Sequence, residues 1–94
     1  MSGGTYDYAY GRIRDLADAI EGDLTNSRLI PCSDAVAFAV DVLRLASEIG
    51  HDVEWFASGD TSAEQLETQA TDWHRRLHEA LKKFEEQKCQ QQNQ

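Results

Sequence analysis

The sequence predicts an all-α chain, a three-helix antiparallel bundle running up-down-up across residues 1–88. Three observations carry this. Apolar residues recur at steps of three and four in three separate stretches. Two clusters of breaker and turn residues, TNSRLIPCS and GDTS, part those stretches. A chain of 94 residues has room for one domain and not for two.

The first helix is expected over about residues 5–25. Its stripe is Tyr6, Tyr10, Ile13, Leu16, Ala17, Ile20 and Leu24, with Asp7, Arg14, Asp18 and Glu21 on the other side. Thr5 is the expected N-cap, and Asp7 lies near the positive end of the helix dipole. Gly11 costs about 1 kcal/mol relative to alanine inside a helix. Unless the helix begins there, that glycine implies a close approach to the backbone.

Asn26 and Ser27 end this helix, and Pro31 blocks its continuation. Ser33 is the expected cap of a second helix over 33–57, with Asp34 in the first turn. Ala35, Phe38, Val42, Leu45, Ala46, Ile49 and Val53 form its stripe, widened by Val36, Val40 and Leu43. A helix this apolar around its circumference belongs in the centre, touching neighbours on two sides. Gly50 and His51 interrupt the pattern, which resumes through Trp55 and Phe56. The reading favoured is one helix that continues or kinks, then stops near Ser58–Gly59 with glycine at the left-handed position.

The third helix is expected over 62–87. Either Thr61 with Glu64 or Ser62 with Gln65 fits a capping box. Leu66, Ala70, Trp73, Leu77, Leu81 and Phe84 give the most regular stripe in the chain. The polar end CQQQNQ, residues 89–94, lacks apolar anchors and is expected to be a flexible tail.

Charge narrows the function classes. Residues 1–72 hold 4 Arg against 14 Asp and Glu, a net of −10, while residues 73–94 hold 5 Lys and Arg against 3 Glu, a net of +2. The whole chain carries −8. Such a surface repels nucleic-acid and membrane phosphates, so no direct nucleic-acid or membrane partner is expected. The acidic surface either keeps the chain soluble or imitates nucleic acid toward a basic partner. No apolar run reaches the roughly 20 residues of a membrane span, and no signal peptide is evident. Cys32 and Cys89 lie far apart with no second pair, favouring two reduced thiols over one disulfide.

The candidate binding group is at the start of the chain, MSGGTYDYAYGR. Tyrosines stack on flat ligands, arginine pairs with phosphate, and glycine lets backbone N–H groups approach an anion. Gly3, Gly4, Tyr6, Tyr8 and Arg12 are therefore the candidate ligand residues, joined by Arg75 and Arg76 from the basic part of the third helix. The plain alternatives are core and loose end for the first group, and helix-dipole complementarity for the arginines. His74 and His78, four apart, have zinc spacing but no convincing third ligand, so no metal and no other cofactor is expected. Asp52, Glu54 and Asp60 flank Trp55, but no nucleophile, phosphate loop or metal cluster accompanies them, so no enzyme is expected.

Two pieces of the chain resemble a set of small proteins encoded by phages and prophages. These begin M-S-G-G, then serine or threonine, an aromatic, Asn or Asp, and tyrosine, as in Thr5-Tyr6-Asp7-Tyr8. The second piece is His51-Asp52-Val53-Glu54-Trp55 with Ser58-Gly59-Asp60 after it. Together they cover roughly a quarter of the chain; Gly50 and the longer third helix depart from the pattern. The resemblance implies a phage origin and the cytoplasm of a bacterial host. It makes Asp52, Trp55, Ser58 and Asp60 second-rank site residues, with packing and chain-turning as their plain roles.

Three functions are then expected in turn. The first is a non-catalytic counter-defence sponge, a homo-oligomer that sequesters a small nucleotide-derived immune signal. The second is an acidic inhibitor of a basic, nucleic-acid-binding host defence protein. The third is a structural or regulatory phage factor.

Overall fold

A computed structural model describes residues 6–23 and 32–92, with side chains as far as Gln87. It contains three helices: α1 (Tyr10–Gly22), α2 (Ser33–Ala57) and α3 (Ala63–Gln92). The chain is an all-α three-helix bundle in which α1 and α3 each pack against α2 and not against one another. Both pairs are antiparallel. Tyr8 meets Glu54 while Asp18 meets Arg44, and Asp52 meets Trp73 while Asp41 meets Lys83.

The first helix starts later than its apolar stripe suggests. Tyr6–Ala9 form turns rather than helix. Asp7 and Tyr8 sit at φ 58° and 55°, in the left-handed region where L-residues pay a steric cost. The helix runs from Tyr10, so Gly11 lies in its first turn and has open space where a Cβ would be. The close approach is instead at Gly50, where an added Cβ would lie 3.0 Å from the Tyr10 Cβ. Thr5, the expected cap, lies outside the described residues, as do Gly3, Gly4, Asn26, Ser27 and Pro31. Ala9 stands at the N-cap position without a side-chain cap bond.

The second helix runs unbroken through Gly50 and His51. Ser33 is its first residue rather than its cap, because Cys32 takes the N-cap position without capping it. Its end has the expected glycine stop. Gly59 has φ 83°; its N–H donates to the Phe56 carbonyl at 3.0 Å, and the Asp60 N–H to that of Trp55 at 2.9 Å. This pair of bonds is the Schellman motif. Of the two capping boxes the sequence offers, Ser62 with Gln65 forms. Ser62 Oγ accepts from the Gln65 N–H at 3.1 Å, and Gln65 Oε1 accepts from the Ser62 N–H at 3.0 Å. The third helix continues to Gln92, past the expected end at 87 and into the expected tail. Lys and Gln are good helix formers and nothing there breaks the helix. Cys32 is an exposed free thiol.

With α1 and α3 flanking α2, the molecule is a single layer. Its extents are 52 × 26 × 12 Å, the smallest less than half of the next. The radius of gyration is 16.0 Å, against about 12 Å for a compact domain of this length. The fully buried apolar residues among those described are Ala17, Val40 and Leu45.

The two faces of this layer differ sharply. At 100° per residue, Arg44, Glu48 and His51 fall on one side of α2, and Val42, Ala46, Ile49, Val53 and Phe56 on the other. Arg14, Asp18 and Glu21 of α1 lie on the Arg44 side, with Asp72, Arg76, Glu79 and Lys83 of α3. On the opposite side α1 presents Ile13, Leu16 and Ile20, and α3 presents Leu66, Ala70, Leu77 and Leu81. One face therefore carries the ion pairs, and the other the aliphatic stripe of α2 with apolar residues of α1 and α3 beside it.

Candidate functional site

Tyr8, in the turn before α1, meets Glu54 and Trp55 of α2, more than forty residues later in the chain. The antiparallel packing of α1 on α2 puts the turn before α1 beside the last two turns of α2. There, the backbone N–H of Tyr8 donates to both carboxylate oxygens of Glu54, at 3.1 and 3.2 Å. Glu54 is 1% exposed. Its negative charge sits at the positive end of α1, which favours it, and near the negative end of α2, which does not. Only the antiparallel neighbour makes that position tolerable for a carboxylate.

Around this contact four rings assemble. Tyr8 lies edge-on to Trp55 at 6.1 Å and to Tyr10 at 6.3 Å. Tyr10 meets His51 edge-on at 5.1 Å, and His51 stacks on Trp55 at 4.1 Å. Ser47 Oγ donates to the Tyr10 carbonyl at 2.9 Å, fixing the first turn of α1 on α2. Burial, with Glu54 and Tyr8 close by, raises the Tyr10 phenol above its ordinary value near 10.

From this cluster the polar face opens into a groove. One part, about 320 Å³, is lined by Tyr10, Arg14, Arg44, Ser47, Glu48, His51 and Arg76. A neighbouring hollow of about 530 Å³ between α2 and α3 shares Glu48, His51 and Arg76, and adds Asp52, Asp72 and Trp73 among others. Three guanidiniums thus face a cavity that has two aromatic walls. Arg44 pairs with Asp18 at 2.7 Å and Glu21 at 3.3 Å, and Arg76 with Glu48 at 2.5 Å. The hydrogen bonds of Asp18 and Glu21 raise the pKa of Arg44 further. Arg14 makes no ion pair among the described residues. Asp52 accepts from Trp73 Nε1 at 2.8 Å and contacts His51 Nδ1 at 3.2 Å, fixing the floor where α2 meets α3.

The residues singled out from sequence divide accordingly. Tyr8 and Trp55 come together in the ring cluster, and Asp52 and Arg76 line the hollow beyond it. Tyr6 is exposed on the turn, and Arg12 is exposed on α1; neither lines the groove. Arg75 lines neither hollow; it pairs along α3 with Asp72 at 2.5 Å and Glu79 at 2.7 Å. Consecutive helical residues diverge by 100°, so one basic dipeptide cannot serve one site. Ser58 and Asp60 belong to the turn that ends α2. Gly3 and Gly4 lie outside the described residues. The His74 and His78 rings are 5.1 Å apart, and no group of three metal-ligating side chains converges among the described residues.

Sequence reading passed over Arg14, Arg44, Glu48 and His51, which frame the groove, and gave Glu54 no structural role. Their signal was there: Arg44, Glu48 and His51 are polar residues at steps of four and three, one side of an otherwise apolar helix. No family model, curated protein or solved structure matches this chain.

Proposed function

We propose that this chain is a non-catalytic binding protein of phage type that sequesters a small anionic ligand, best matched by a nucleotide-derived immune signal. One observation supports this above others: Arg14, Arg44 and Arg76 converge with the Tyr10 and His51 rings on one cavity. Guanidiniums grip phosphate oxygens in pairs, and rings pack against a base. The volume of about 320 Å³ falls within the range of small-molecule sites. The existing ion pairs do not oppose this. Exposed pairs contribute about 0–1 kcal/mol, so a phosphate can replace Asp18 or Glu48 at small cost. Arg14 offers its charge without such an exchange. The phage resemblance supports a role against host defence.

The test is native mass spectrometry of protein freshly purified from a bacterial host, followed by calorimetric titration with linear and cyclic nucleotides. A bound small mass, or titration by one nucleotide class, is expected. Arg14→Ala and Arg76→Ala are expected to weaken it at least tenfold with helical content unchanged. Absence of added mass together with no heat from any nucleotide overturns the reading. Salt-sensitive co-purification of a basic host protein, with no small ligand, establishes the acidic-inhibitor function instead.

A further inference from the structure

The ligand groove occupies one face of the layer; the other face is unaccounted for. It carries the aliphatic stripe of α2 with leucines and isoleucines of α1 and α3 beside it, and Arg12, Glu67 and Glu85 lie at its margins. Leu16 is 50% exposed, Phe56 37%, Leu77 38% and Leu81 40%. Scattered exposed apolar residues are ordinary, but a continuous face of them marks an interface.

We infer that this face seats a second copy of the same chain, face to face, giving a two-layered six-helix dimer with the ligand grooves on its two outer surfaces. Three quantities point to a copy of this chain. Helical domains bury their apolar stripes between two layers, and this chain supplies one layer 12 Å thick. The accessible surface is 6735 Å², roughly 1,300 Å² more than the ~5,500 Å² of a monomeric protein of this mass. The 52 × 26 Å outline offers a footprint of about 1,300 Å² per partner, above the ~800 Å² of a standard stable interface.

Charge selects the same face. Two chains at −8 each repel one another along most approaches. Across the aliphatic face, carboxylates stay at the rim or on the outer sides, where water and salt screen them. A two-fold axis lying between the two layers and parallel to them sets identical apolar patches against each other, as in the commonest closed oligomer. The arrangement is independent of the ligand reading, but it sets the grooves of a sponge outward, accessible without dissociation.

Light scattering on the eluting full chain, over a hundredfold range of concentration, tests this. The expected mass is twice the 10.6 kDa of one chain. Leu77→Glu and Leu16→Glu are expected to shift it to one chain or to lose the fold. Arg14→Ala, on the opposite face, is expected to remain dimeric. Because the leucine variants can unfold, the wild-type thermal midpoint is measured over the same range, and it is expected to rise with protein concentration. A monomer at every concentration overturns the inference. So does an oligomer whose mass and folding survive both leucine substitutions, or a mass accounted for by bound lipid or another protein. Loss of nucleotide binding with the dimer intact would overturn the ligand proposal alone.

Discussion

Both carboxylate oxygens of Glu54 lie within hydrogen-bond distance of one backbone nitrogen, that of Tyr8, forty-six residues earlier in the chain. A side chain of α2 thus accepts from the entry turn of α1, a task usually performed by a residue at the helix's own N-cap. The same contact holds Tyr8 in the left-handed region, where such a residue persists only if its surroundings fix it.

Removing the acceptor is therefore expected to release the entry turn. Hydrogen bonds to a charged group contribute about 1.5–3 kcal/mol, and the site is buried. Glu54→Ala is expected to lose that much in urea unfolding at fixed protein concentration. Glu54→Gln, which keeps an acceptor of similar shape, is expected to lose about half. A change below roughly 0.5 kcal/mol in Glu54→Ala would show that the contact does not anchor α1.

The glycines separate into positions that tolerate a methyl group and positions that do not. Gly11 faces open space in the first turn of α1, so Gly11→Ala is expected to stabilise by up to about 1 kcal/mol. Gly50 is helical too, yet its new Cβ would meet the Cβ of Tyr10 at 3.0 Å. That atom is one bond from the α1 backbone and cannot swing away. Gly50→Ala is expected to destabilise despite its better helix propensity, by about 1 kcal/mol. Gly59, at φ 83°, is expected to lose about 1–2 kcal/mol on change to alanine. Thermal unfolding of the three variants checks the order; a stabilised Gly50→Ala would mean that α1 is free to shift on α2.

The same residues show what the sequence made legible. Three helices, the central place of α2, the glycine stop at Gly59 and a capping box before α3 all follow from local chemistry. Local chemistry could not locate the start of α1. The stripe of apolar residues reaches back to Tyr6, but a distant carboxylate holds the backbone out of helix there. Nor could it reveal a single layer. An apolar stripe says that a helix face must be covered, and it is silent on whether this chain or another covers it. The groove was hidden for a related reason. Arg14, Arg44 and Arg76 come from three helices and lie thirty residues apart, so no spacing rule joins them. The adjacent Arg75 and Arg76 looked like one patch, but only Arg76 reaches across to Glu48 of α2, while Arg75 pairs within α3.

Alkaline titration gives a probe of the ring cluster that leaves the fold intact at the outset. Burial first, and then the charge of Glu54 and the nearby Tyr8, hold the Tyr10 phenol above its ordinary value of 10.0. The folded protein therefore keeps its proton at pH values where the unfolded chain has lost it. A raised folded pKa contributes stability that is complete below about pH 10 and falls away as pH rises through the folded value. Absorbance at 295 nm is expected to contain a phenolate step above pH 10 that Tyr10→Phe removes. Urea midpoints between about pH 9 and 11 are expected to fall more steeply for the wild type than for Tyr10→Phe, because the variant has no phenol at this position to titrate. Equal slopes would mean that Tyr10 is as free in the folded chain as in the unfolded one. That result would dissolve the contact of Tyr10 with Gly50 and His51, and with it the aromatic wall on which the ligand groove depends.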